Sequence, residues 1–132
     1  MVNAESKSVE LVLVAGGNYQ ERESWIASAV AQHNAVVQTI PQLKIGIILE
    51  GLPSGMMPLQ SSSTLFIERI APGCFCCIGN LVLRVTLMRL LRIQPHFLYL
   101  AMNDREHLSN LKEFLQQETF AGLLHFGQEI KL

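Results

Sequence analysis

Residues 9–18 read Val-Glu-Leu-Val-Leu-Val-Ala-Gly-Gly-Asn. Only Glu10 interrupts the apolar run before the glycines. A segment that is apolar on both sides belongs to a strand covered on both faces, which is the habit of parallel sheets. Gly16-Gly17-Asn18 then turns the chain. A helix is predicted over 21–33, with Trp25, Ile26, Ala29 and Val30 on one face. Strand, glycine turn and helix together form the opening unit of an α/β layer.

The pattern recurs along the chain. Residues 36–40 are a short β-branched run, and 44–50 (Lys-Ile-Gly-Ile-Ile-Leu-Glu) is a second strong strand. A Pro-, Gly- and Ser-rich loop occupies 51–63, with Met56-Met57 inside it, and 64–70 is the next strand. A helix is predicted over 81–91, with Asn80 as its N-cap and Arg89 and Arg92 at its C-terminal end, where positive charge is favourable. Its near-continuous apolar surface predicts burial under the sheet or at a dimer interface. A strand over 95–101, an amphipathic helix over 104–117 and a last strand over 120–126 complete the order. Alternating strands and helices predict a three-layer α/β fold with a mostly parallel sheet, and right-handed crossovers put helices on both faces. The ligand crevice of such a sheet lies at the carboxyl ends of its strands. Three loops begin there: the Gly16-Gly17 turn, the loop after Glu50 and the segment after Ile70.

At 132 residues the chain fits one domain, with 1–8 as a flexible lead-in. Hydrophobic residues make up 49% and charged residues 16%, enough for a core with apolar area left for a partner. Ten Lys and Arg against eleven Asp and Glu leave a net charge of -1. No basic stripe supports nucleic-acid binding. No apolar run approaches the roughly 18–20 residues of a membrane span, and the N-terminus lacks signal-peptide order, so the cytoplasm is the expected compartment.

All three cysteines fall within Gly73-Cys74-Phe75-Cys76-Cys77. An odd count in one cluster suits reduced thiols better than a disulfide framework. Soft thiolates at this spacing suit zinc or Cu(I). A tetrahedral site needs a fourth ligand, for which water, Glu50, a histidine or a partner's residue are candidates. An open fourth position suits metal transfer. The competing reading is that these cysteines are small buried hydrophobes at a strand–helix junction. His33 reads as a cap at a helix C-terminus, and His96, His107 and His125 as structural or solvated. No catalytic constellation stands out.

The order strand, glycine turn, helix, strand ending in Glu, strand, Gly-Cys-x-Cys-Cys, helix, strand resembles the CobW-like P-loop GTPases. These are metal-handling proteins, some implicated in zinc and some in cobalt delivery. The resemblance spans about residues 9–126 and covers the front half of that family's GTPase domain. It rests chiefly on Gly73-Cys74-Phe75-Cys76-Cys77, with Leu49-Glu50-Gly51 keeping the Glu of the family's Asn-Glu and losing the Asn. It implies a P-loop-NTPase-like sheet, a metal set of Cys74, Cys76 and Cys77 with Glu50 as one candidate for the fourth ligand, and a degenerate phosphate loop over Gly16, Gly17, Arg22 and Ser24.

That loop departs from Gly-x4-Gly-Lys-Ser/Thr. Glu21 stands at the second glycine, Arg22 at the lysine and Glu23 at the hydroxyl, while Ser24 is one residue out of register. Two carboxylates would face a polyphosphate. Ala101 and Asp104 occupy the positions of the family's acidic residue and glycine after the fourth strand, and Asn-Lys-x-Asp is absent from the sequence. The expectation is a non-hydrolysing zinc-binding accessory, dimeric, with a metal client protein or transporter as partner and no nucleotide cofactor. A non-catalytic dimeric interaction module and retained GTP binding without hydrolysis stand as alternatives.

Overall fold

A computed structural model describes residues 8–36, 43–51, 58–71, 80–117, 120 and 122–132. The elements run β1 (Val9–Ala15), α1 (Tyr19–Val36), β2 (Ile45–Glu50), β3 (Leu65–Ile70), α2 (Asn80–Arg92), β4 (Phe97–Met102), a 3-10 turn (Arg105–His107), α3 (Leu108–Leu115) and β5 (Leu124–Lys131). The five strands form one sheet in the order β3-β2-β4-β1-β5, and every pair is parallel. The expected α/β three-layer arrangement is therefore present, with a sheet that is wholly parallel.

The alternation of side chains across the strands sorts the core into two layers. Val12, Val14, Ile45, Ile47, Leu49, Tyr99 and Ala101 face α1 and pack on Ile26 and Val30. Leu11, Leu13, Ile48, Leu98, Leu100 and Met102 face the opposite way and meet α2 and α3. β1, β2 and β4 are buried on both faces, which is why they read as continuous apolar runs. The helices fall on opposite faces because the chain reverses direction across the sheet. It travels outward from β1 to β2 through α1 and returns through α2 and α3, and right-handed crossovers then require opposite sides. Adjacent strands β1 and β4 therefore send their following segments to opposite faces. That is the switch point where crevices form in such sheets.

Several boundaries differ from the sequence expectations. α1 begins two residues earlier, at Tyr19, and runs on to Val36, so part of the β-branched run at 36–40 is helix; the remainder lies outside the described residues. The 104–117 helix is split. Asp104 accepts a hydrogen bond from the Glu106 N–H at 2.8 Å, which tightens the first turn to 3-10 before α3 starts at Leu108. The last strand starts at Leu124, four residues later than expected. Phe120 is fully buried against Phe114, with ring centroids 5.3 Å apart, and anchors the turn before the strand. α2 buries one face through Leu83, Leu87, Leu90 and Leu91, while Leu81, Val82 and Val85 are exposed. It is covered on one side, not all round.

Candidate functional site

The switch point lies between the Gly16–Gly17 turn after β1 and Asn103 after β4. Both glycines have positive φ, 90° and 61°, where an L side chain is strained. At Gly16 a Cβ would also lie 2.6 Å from the Leu132 carbonyl oxygen. The Leu132 N–H donates to the Ala15 carbonyl at 2.8 Å, so β5 ends against this turn.

Asn18 and Glu21 form a reciprocal cap. The Glu21 N–H donates to Asn18 Oδ1 and the Asn18 N–H to Glu21 Oε1, each at 2.8 Å. The Glu21 carboxylate is thereby committed to the first turn of α1. Ser24 is exposed on the helix.

Tyr19, Arg22, Glu23, Ile26 and Val30 share the buried stripe of α1. Arg22 is 1% exposed. Its Nη1 donates to the carbonyls of Gly16 (2.9 Å) and Gly17 (2.8 Å), and its Nη2 to the Glu50 carbonyl (3.3 Å). Burial draws its pKa below the ordinary guanidinium value, against the opposing pull of Glu50, Tyr19 and Glu21. A phosphate loop works by turning N–H groups and a cation towards the anion. Here the cation lies beneath the loop and satisfies loop carbonyls.

Glu50, at the carboxyl end of β2, is also buried, and its Oε1 accepts the Asn103 N–H at 2.8 Å. The next turn of α1 carries a second ionic cluster. Glu23, fully buried, pairs with Arg69 at 2.9 Å and accepts the Leu59 N–H at 3.1 Å. Arg69 donates from Nε to the Tyr19 hydroxyl at 2.8 Å and from Nη2 to the Leu59 carbonyl at 3.2 Å. This cluster fastens the segment before β3 to α1. Across the two clusters the buried cation Arg22 and the part-buried Arg69 lie among the carboxylates of Glu21, Glu23 and Glu50.

The structure thus brings Gly16, Gly17, Arg22 and Glu50 together, joined by Glu23, Arg69, Tyr19 and Asn103, which the sequence reading did not assemble. One signal for them was available. Arg22 and Glu23 stand at helical spacing with Tyr19, Ile26 and Val30, and charges inside an apolar stripe announce a buried network. Cys74, Cys76 and Cys77, and Met56-Met57, lie outside the described residues. Among the described residues no group of three or more His, Cys, Asp and Glu is arranged to hold a metal ion, and no helix is long and apolar enough to cross a membrane.

The fold and the closed turn define an α/β protein with a parallel five-stranded sheet whose switch-point crevice is filled by its own side chains. Comparison of the chain with family models, with curated proteins and with solved structures finds no match in any of the three.

Proposed function

We propose that this chain is a metal-handling domain of CobW-like layout that does not hydrolyse nucleotide, with Cys74, Cys76 and Cys77 taking zinc as cargo. The observation that carries this reading is the buried Arg22, whose Nη1 and Nη2 donate to the carbonyls of Gly16, Gly17 and Glu50. A cation so engaged is not offered to a phosphate. The chemistry remaining in this part of the chain is that of the thiols. They fall in the connector between Ile70 and Asn80, and Ile70 is the register partner of Glu50. α2 begins three residues after Cys77, and the N-terminal end of a helix favours thiolate over thiol. With Glu50 Oε1 engaged by Asn103, water or a donor from a client protein is the simpler fourth ligand, and it leaves the metal exchangeable.

The test is metal analysis of the reduced chain, kept anaerobic, after zinc loading and desalting. The expected result is about one zinc per chain, lost in Cys74→Ser. Absence of retained zinc, or a Cys74→Ser variant that retains as much as the parent, overturns the proposal. One observation favours the second reading, that of an interaction module. Leu81, 68% exposed, together with Val82 and Val85, makes an apolar stripe on the outer face of α2.

A further inference from the structure

A cavity of about 440 Å³ opens on the α1 face of the sheet, over the amino-terminal halves of β1 and β4. It lies at the other end of the strands from the glycine turn and the cysteine connector. Trp25 and His33 from α1 and Phe97 and Tyr99 from β4 give it aromatic walls, with the neutral polar side chains of Ser28, Gln32 and Gln128 beside them. His33 lies over Phe97 with centroids 4.2 Å apart, and its Nε2 is 2.7 Å from the Tyr99 hydroxyl. Trp25 and Tyr99 meet at a tilt, 6.4 Å apart. Burial lowers the His33 pKa, so its ring is neutral near pH 7.

Among the described residues one carboxylate lines this space. Glu10 is the only acidic or basic side chain of β1, and it lines the cavity. Among the described residues nothing ion-pairs or hydrogen-bonds with its carboxylate. Its field reaches the walls: Tyr99 is pushed up to about 12, first by burial and then by Glu10. The carboxylate is also given room. The pairing of β1 with β5 slips between Leu11 and Val12, opposite Phe126 and Gln128, and Gly127 is the extra residue. A Cβ at Gly127 would lie 2.5 Å from Glu10 Oε2 and 2.6 Å from Glu10 Cγ.

We propose that this aromatic-walled cavity binds a small organic cation, a quaternary or methylated ammonium, with Glu10 as counter-charge and Trp25, Phe97 and Tyr99 as the surfaces that meet its methyl groups. The chemistry selects this class. A divalent metal favours several carboxylate oxygens, and here a single carboxylate stands with only neutral oxygens of Ser28, Gln32, Gln128 and Tyr99. A strongly hydrated ammonium gains little from ring faces, and a neutral guest leaves Glu10 without a partner. A methylated ammonium is weakly hydrated, matches the negative faces of the rings and neutralises the carboxylate.

Trp25 is the chain's sole tryptophan, so its fluorescence reads the cavity directly. The parent chain is titrated with choline and, separately, with 3,3-dimethylbutan-1-ol, the neutral carbon isostere of choline. Saturable binding of choline is expected at roughly millimolar or below, with the isostere at least about tenfold weaker. Glu10→Gln should weaken choline about tenfold and move the isostere by less than about twofold. Gly127→Ala, which crowds the carboxylate, should act in the same direction as Glu10→Gln. Equal binding of choline and its isostere, or no saturable response to choline, overturns the proposal. The isostere arm needs no substitution, so it decides the matter even if a variant fails to fold.

Discussion

Arg22 closes the turn that a P-loop would keep open. Its guanidinium bridges three carbonyls, two in the turn and one at the end of β2. Removing it leaves those oxygens buried without that donor and empties the space beneath Gly51, where a Cβ would already lie 3.2 Å from Nη2. Arg22→Ala should therefore destabilise the fold by about 3–5 kcal/mol in urea unfolding. Arg22→Lys keeps charge and stem but loses the fork, and should cost about 1–3 kcal/mol. It should gain no affinity for GTP, because Glu21 remains in the cap with Asn18. An Arg22→Ala variant within 0.5 kcal/mol of the parent would contradict the role given to this side chain. His33 makes the second residue-scale case. Its pKa is lowered, with burial the main cause and Glu10 opposing. The unfolded chain therefore takes up this proton at a higher pH than the folded one. The contribution of neutral His33 is complete above its ordinary value of about 6.5 and is lost as pH falls below it towards the lower folded value. The stability difference between pH 7.5 and 5.5 should shrink in His33→Gln, and identical pH profiles would refute this. The partners of neither side chain were legible beforehand, although the place of Arg22 in the apolar stripe of α1 signals its burial. His33 has the position of a helix cap, and only the fold sets it against Tyr99. Arg22 stands where the resemblance puts the lysine of a phosphate loop, and the fold instead gives it two carbonyls of the preceding turn and one at the end of β2.

At the scale of elements, β1, β2 and β4 follow from hydrophobic pattern, because strands buried on both faces leave a continuous apolar signature, and β3, a half-buried edge strand, follows from its short apolar run after a Ser-rich loop. β5 does not. It is an edge strand of sequence Leu-His-Phe-Gly-Gln-Glu-Ile-Lys, largely exposed, and a bulge at Gly127 interrupts its alternation. The apolar residues before it pointed instead to 120–126. Its Glu129 pairs with Lys112 of α3 and with Lys131 of its own strand. The apolarity of α2 suggested burial under the sheet or at a dimer interface; the structure buries one face of it under the sheet and exposes a stripe of Leu81, Val82 and Val85. If that stripe is a contact surface, light scattering should show a dimer, and Val85→Glu should convert it to monomer with little loss of stability, because Val85 is half exposed. A parent chain that is monomeric at tens of micromolar would exclude a dimer on this face.

For the whole molecule, the parallel sheet creates a switch-point crevice between β1 and β4. The sequence then fills it with Arg22, Glu50 and the backbone of Leu132. Arg22 Nη1 and Nη2 donate to carbonyls of the turn after β1 and of the end of β2, so the cation in the crevice is held by the chain's own backbone. The cysteine connector leaves the same end of the sheet, so metal binding on this account proceeds without nucleotide. The most direct test is a competitive zinc titration of the reduced chain, run with and without magnesium and GTP. The account predicts about one zinc per chain with the same affinity in both conditions. Failure to bind zinc, or a zinc affinity that GTP changes, would contradict it.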